Sequence, residues 1–531
     1  MDSKKLTAGE IWKQFEKDRA YKNNLDLFNK VKKNENFFIG TQWEGLNAPD
    51  LPQPVINIVK RVTNYLISVL IVDDIGVSFR GYTPKSLTEL EKSKGTELLE
   101  TVLPKEIERI LENTKFRSKT RSFLKNAAIT GGACSYTRFD TSKGNVQEGE
   151  GQPTVGEIVT EIVSVTNVHF GNKLTSEVEV QPYIIISKSV PTSELKEQYP
   201  DKAEQIAADS DEYNLVPDEN EDEVSTVLIY MRKVNGTVHV TVSTEKVFLE
   251  DEKDTGLTLY PVAFFNWESK ENQCHGVGVV EEIIPNQIIV NKLWAMAVLF
   301  ETNNGFPKVF IDKTKIDRWD NRVGAVVGVI GNPNDAIASS FRAHDMSSQV
   351  VNLVNQTITF TKEFMGANDA VLGNVNPQNT SALIQIQKAS AAPLELQRLS
   401  FYQFIEDHIR ILVDIIRNQY GIRYVFDGEK VNVVDFSEMD YNSEINVDIG
   451  ASSAWSETAQ VQTMDKLFSA GIITDAVMYV ESIPEKLMPN KKAILNKLKE
   501  QQQMMQEQMA QQMMLPPAAQ GGVTNEDLQM Q

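Results

Sequence analysis

GVGVVEEIIPNQIIVNKLWAMAVLFETNNG, residues 276–305, carries apolar side chains at helical spacing along its whole length. At about 1.5 Å rise per residue it reads as a rod of roughly 35–45 Å. Pro285 lies inside the pattern and predicts either a kink or a later helix start. KVFIDKTKIDRWDNRVGAVVGVIG, residues 308–331, reads as short strands and turns, and VVNLVNQTITFTKEFMG, residues 350–366, is helical again. Gly276 to Gly373 thus spans a long helix, a β-rich insert, a second long helix and part of an Asn-rich loop, NDAVLGNVNPQNTS. A helical hairpin inside an ordinary enzyme would bury one fully apolar face. These helices instead mix Glu281, Glu282, Lys292, Glu301 and Lys362 among the apolar positions, the pattern of rods that meet neighbours on one side and water on the other.

Upstream, Leu6 to Lys32 has helical spacing, FFIGTQWEGLNAPDLPQP reads as a proline-rich turn, and VINIVKRVTNYLISVLI is an amphipathic helix. A short strand, VSFRGY, precedes helical stretches from Leu87 to about Thr130, ended by Gly131-Gly132. From Ala133 to Val190 the period shifts toward two, giving strands SYTRF, EIVTEIVSV and YIIISKSV. Residues 201–223 are acidic and read as an exposed loop, and Asn235-Gly236 sits between β-rich arms as a hairpin turn. Downstream, a third long helix is expected from Ser381 to about Tyr420 with a kink at Pro393. Short strands follow, then small helices from Ser456 to Lys499 and a low-complexity Met/Gln tail.

The chain has 531 residues, 41% hydrophobic and 24% charged, enough for about three or four domain-sized units. Its net charge of −20 argues against a protein that grips nucleic acid, since that needs clustered Lys and Arg. DNA can still be a passenger along an acidic, non-adhesive surface. Two cysteines, Cys134 and Cys274, stand far apart and exclude a disulfide framework or a multi-thiolate zinc site. The N-terminal residues lack the apolar core of a signal peptide, and Val62–Val72 is too short to span a bilayer, so a reducing interior without a membrane is expected.

No catalytic constellation stands out. GxxxxGK[ST] and HExxH do not occur, and Gly276-x-Gly278 lacks the third glycine of a nucleotide fingerprint. Two glycines before a helix more simply relieve crowding. Cys274-His275 is a poor nucleophile–base pair because its members are adjacent in sequence. Cys134 reads as a small residue at a helix-to-strand corner. Glu281 and Glu282 point about 100° apart on a helix, so a solvated or channel-facing charge is preferred to a paired catalytic site.

The order of several motifs resembles the portal, or head-to-tail connector, proteins of tailed double-stranded DNA bacteriophages. The likeness covers about Asn34 to Lys499. Its pieces are Gly40-Thr41-Gln42-Trp43 before a proline-rich turn, Pro54-Val55-Ile56-Asn57 opening a helix, and Tyr260-Pro261-Val262 before the first rod. The rod itself is similar in carrying Gly276, Gly278, Gln287 and Asn291. Asn376-Pro377-Gln378-Asn379-Thr380-Ser381-Ala382 and Ser452-Ser453-Ala454-Trp455-Ser456-Glu457 complete the series.

The resemblance implies an α+β, helix-rich portal fold with wing, stem, clip and crown, assembled as a ring of roughly twelve subunits around an axial channel. The wing would be 1–270, the first stem helix 271–305, the clip 306–346 and the second stem helix 347–366. The tunnel loop would be 367–380, a long wing helix with return strands 381–450, the crown 451–500, and the tail 501–531. Asp369, Asn374, Asn376, Gln378 and Asn379 would face DNA; Arg318, Trp319 and Arg322 would form the clip interface. Glu281, Glu282, Gln287, Asn291, Lys292 and Lys362 would serve stem packing or the channel. Implied partners are copies of the chain, the major capsid protein, the terminase, a head–tail adaptor or tail protein, and duplex DNA passing non-specifically. No enzyme activity, cofactor or membrane is implied; the location would be the capsid vertex of the virion, and host cytoplasm during assembly. Another phage head or tail structural protein is the alternative, and a soluble enzyme with an unrecognised site comes after it.

Overall fold

The computed structural model describes residues 5–47, 51–71, 75–81, 102–143, 156–208, 223–305, 308–316, 348–367, 392–426, 431–436, 443–449, 454–472 and 475–483, with scattered positions within 318–341 and 488–504. It divides into two compact units, Met1–Asp448 and Ile449–Gln531, where length alone suggested three or four. The first unit is large because elements far apart in sequence share its interior.

Thr7 opens α1 (Ala8–Asn24) with a capping box: the Glu10 N–H donates to Thr7 Oγ1 at 3.3 Å and the Thr7 N–H to Glu10 Oε2 at 2.8 Å. Asp26, at φ 56°, then breaks what reads in sequence as one helix and starts α2 (Leu27–Ile39). Phe37 and Phe38, expected in the turn, belong to α2; Gly40 at φ 112° ends it. α3 (Ile58–Leu70), β1 (Ile75–Gly81), α4 (Leu103–Asn113) and α5 (Phe116–Thr130) follow.

The β-rich middle contains β2 (Gly132–Asp140), β3 (Glu157–Ser164), β4 (Val168–Phe170) and β5 (Ile184–Pro191), then the short α6 (Thr192–Gln198). After it come β6 (Val224–Val234), β7 (Thr237–Ser243), β8 (Phe248–Asp254) and β9 (Val262–Asn266). They form two antiparallel sheets, in the orders β3-β2-β9 and β4-β5-β6-β7-β8. The β6–β7 turn is Asn235-Gly236 with both φ positive, 53° and 96°, as a two-residue hairpin requires. Ile11 and Phe15 of α1 bury against Ile185, Leu228 and Tyr230 of the five-stranded sheet.

α7 (Val279–Gly305) runs through Pro285, so the later start is excluded: the helix begins six residues ahead of the proline. β10 (Lys308–Ile311) pairs with β11 (Ala338–Phe341), and α8 (Ser348–Phe364) returns along α7. A 3-10 turn at Ala392–Leu394 holds Pro393 ahead of α9 (Glu395–Ile415), which continues as a π-helical turn at Ile416–Tyr420. Pro393 thus sits just ahead of the described part of this helix; residues 381–391, where the expected helix would begin, lie outside the described residues. β12 (Ile422–Phe426) and β13 (Val431–Asp435) form a hairpin, and β14 (Ser443–Ile449) pairs with β1.

α5 and α9 lie on the three-stranded sheet, α5 over β2 and β3, α9 over β2 and β9. Phe123 of α5 stacks on Phe404 of α9 at 4.0 Å between centroids, and Phe265 of β9 meets Phe401 edge-on at 5.9 Å. Offset and edge-to-face aromatic pairs add about 0.5–1.5 kcal/mol each beyond their buried area. In the second unit α10 (Ala454–Ser469) and α11 (Ala476–Ser482) pack through Phe468 and Tyr479, with Asp475 capping α11.

Candidate assembly and channel elements

The paired rods and their insert form one continuous feature. α7 is 27 residues long, about 40 Å at 1.5 Å per residue. By length and by the mean hydropathy of an 18-residue window within it (1.4) it is apolar enough to cross a membrane, but it packs against α2, α3, α5 and α8. In the insert, Lys308 pairs with Phe341 and Ile311 with Ala338, and an isolated bridge joins Ile316 to Val329. The β reading of the insert holds at these positions.

Gln287 and Asn291, one turn apart on α7, are buried and point into the subunit. Gln287 Oε1 accepts from the N–H groups of Ile58 and Val59 at 2.9 and 3.3 Å, two of the donors that a helix N-terminus leaves over. Its Nε2 donates to the Ile56 carbonyl at 2.7 Å and to Asn291 Oδ1 at 2.8 Å. Asn291 Nδ2 donates in turn to Gln42 Oε1 at 2.6 Å. Asn57 caps α3 by accepting from the Lys60 N–H at 2.8 Å, while its Nδ2 donates to the Phe37 and Phe38 carbonyls at the end of α2. Trp43 Nε1 donates to the Pro54 carbonyl at 3.1 Å. Gly40–Trp43, Pro54–Asn57 and the Gln287/Asn291 pair, widely separated in sequence, thus converge on one polar junction. Gln287 and Asn291 hold the rod to the subunit body.

The charged positions of the rods divide. Glu281 and Lys362 are half-buried, Lys292 is exposed, and Glu282 has one side open to solvent with its carboxyl partly desolvated. Burial and a hydrogen bond to Glu268 raise the Glu282 carboxyl to about 7, with the charges of Glu268 and Glu281 adding to the effect. Large apolar side chains are also exposed here: Ile289 and Met296 two turns apart on α7, and Leu353, Phe360 and Phe364 on α8.

In the insert, Arg318, Trp319 and Arg322 are exposed. Arg322 donates to Asp320 through Nε (2.9 Å) and Nη2 (2.5 Å), which holds the Asp320 carboxyl below its ordinary value. That pair orders the turn beside Trp319; at such exposure it adds little stability. Asp369, Asn374, Asn376, Gln378 and Asn379 lie outside the described residues.

The residues weighed for chemistry occupy inert places. Cys134 and Cys274 are buried, and burial pushes both thiols up, Cys274 to about 11, against nucleophilic use. Burial likewise pulls His275 and His408 down to about 3. No group of three His, Cys, Asp or Glu among the described residues could hold a metal. Gly276 and Gly278 relieve crowding: a Cβ on Gly278 would strike the Ala128 carbonyl, and one on Gly276 the Glu268 carbonyl.

Sequence reading missed two features. Lys22 of α1 is buried, its Nζ donating to the carbonyls of Val165 (3.0 Å), Thr166 (2.8 Å) and Val168 (2.6 Å); burial pulls its pKa down to about 7. Lysine at helical spacing carries no signal that distinguishes it from a surface charge. His408 stacks flat on Phe116 at 4.4 Å, and neither ring nitrogen has a hydrogen-bond partner.

A family model described as phage P22-like portal protein matches residues 13–531. No curated protein matches the chain. With a match over nearly its whole length, on an α+β fold, the chain belongs to the phage P22-like portal protein family, a family of structural proteins.

Proposed function

We propose that the chain is the subunit of a ring of roughly twelve copies, set at one capsid vertex, through which duplex DNA is packaged and later ejected. α7 and α8 form the stem, residues 306–346 the clip that receives a head–tail adaptor or tail protein, and 367–380 the loop nearest the DNA. Residues 1–270 and 381–450 make the wing, and 451–500 the crown. The terminase docks on the ring during packaging and supplies the ATP-driven work, and the major capsid protein surrounds the ring. The subunit assembles in host cytoplasm and ends in the virion. The net negative charge of the ring lets phosphates pass without the counterion release that tight binding would bring.

The observation that carries this reading, beside family membership, is the exposed apolar surface of the rods. Ile289, Met296, Leu353, Phe360 and Phe364 leave on one hairpin the kind of surface that marks a protein contact. A heterologous contact that repeats by rotation closes into a ring. Electron microscopy of the purified chain tests this directly: closed rings with an axial channel are expected, and monomers persisting at high concentration overturn it.

A further inference from the structure

From Asn113 to Phe139 the chain has no carboxylate and six cations, in a protein whose net charge is −20. Four of these cations, Lys115, Arg117, Arg121 and Lys125, are exposed on or at the start of α5, with Ser118 and Ser122 between them. They extend about 15 Å along the helix. Glu35 of α2 lies beside Lys125 at the far end. The other side of α5 is committed to the interior through Phe116, Thr120, Phe123 and Leu124.

The opposite flank of the same layer is acidic and concave. A cleft of about 500 Å³ opens between α9, β9 and the segment before β5. Glu177, Glu179 and Asp407 line it over an apolar floor that includes Val262, Phe264 and Ile411. Arg410 also lines it but turns to Glu406 at 2.6 Å, and Glu179 pairs with Lys233 at 2.5 Å. Asp407 accepts from Gln403 Nε2 at 2.9 Å, and burial pushes its carboxyl up. A carboxylate in this setting would be stabilised by a cation arriving from outside.

The sheet order β3-β2-β9 sets α5 toward the β3 edge and α9 toward the β9 edge. Convex basic stripe and concave acidic cleft therefore lie on opposite flanks and cannot neutralise each other within one subunit. Copies carrying −20 each repel, so assembly favours contacts that bring opposite charges together. We propose that the α5 stripe of one subunit docks in the α9 cleft of a second copy, a head-to-tail contact that fixes which flank meets which. This rests on the ring reading above.

Four proteins test it by mass photometry and negative-stain microscopy: the natural chain, R117E/R121E, E177K/D407K, and the combination of all four changes. Thermal melting by circular dichroism checks that each folds. Each one-sided reversal should raise the concentration for half-assembly at least ~10-fold, and the combined variant should restore rings, because reversed stripe then meets reversed cleft. Rings unaffected by the one-sided reversals overturn this contact while leaving the ring reading standing. Folded combined variants that stay dissociated overturn the pairing of these two flanks. Reversal of the stripe that leaves assembly intact but lowers duplex DNA retention assigns the stripe to nucleic acid and also overturns it. A natural chain that never forms rings overturns the ring reading itself.

Discussion

Asn291 donates to Gln42 at 2.6 Å across 249 positions of sequence, fastening the middle of the long rod α7 to the turn that follows α2. Through Gln287 the same side chain is coupled to the first turn of α3. Three elements thus depend on two amides.

Replacing Gln287 by Leu strands the Val59 N–H and Asn291 Oδ1, and leaves the Ile58 N–H and the Ile56 carbonyl only their 3.0 Å bond to each other. A loss of about 2–4 kcal/mol is expected, and about 1–3 kcal/mol for Asn291→Leu. The double variant should lose less than the sum, because both changes break one network. Denaturant unfolding of the three variants checks the ordering; strict additivity would contradict a shared network.

His408 predicts the opposite sign. Its imidazole is buried between Phe116 and Phe404 with two nitrogens lacking partners, so His408→Leu should stabilise by about 1 kcal/mol at pH 8. The pH dependence follows from its lowered pKa. The unfolded chain takes up a proton near 6.5 and the folded chain near 3, so stability falls as pH drops through that window. His408→Leu should remove up to about 1.4 kcal/mol per pH unit of that slope. Unfolding midpoints of both proteins between pH 8 and pH 4.5 measure it.

Glu282 titrates the other way. Its folded pKa of about 7 lies above the ordinary 4.5, so the folded state holds the proton more tightly and stability declines as pH rises from 4.5 to 7. Glu282→Gln keeps a hydrogen-bonding partner for Glu268 without the charge. Its melting temperature should exceed that of the natural chain at pH 8 and converge with it at pH 5. Equal differences at both values would mean the Glu268–Glu282 contact does not govern this carboxyl.

Lys22→Met removes three hydrogen bonds from buried carbonyls while keeping most of the side-chain volume. The expected cost is about 2–4 kcal/mol, concentrated where α1 meets the segment before β4. Hydrogen exchange should quicken in α1 and around Val165–Val168 before it quickens in α9. Uniform acceleration would show that the cage stabilises the whole unit at once.

Much of the architecture was legible in local pattern. Asn235-Gly236 announced its hairpin because a two-residue turn needs positive φ at both positions, and few side chains tolerate that. The helix–insert–helix of residues 279–364 followed from apolar periodicity, and Gly276 and Gly278 were readable as relief of crowding. The break at Asp26 was not legible, since nothing in the apolar spacing distinguishes a left-handed residue at a corner from one more helical turn. Nor was the role of Gln287 and Asn291. On a helix wheel they are two amides that could face water, a channel or a core, and only the arrival of Gln42, Ile56 and Ile58 beside them selects the last. Periodicity reports which side of an element is apolar; it carries no record of which distant surface that side meets. By itself the sequence determined the elements, their order and the family to which the chain belongs. Tertiary structure decided the Lys22 cage, the stacked His408, the amide junction and the opposed charges of the α5 and α9 flanks, because each depends on chain segments that only folding brings together.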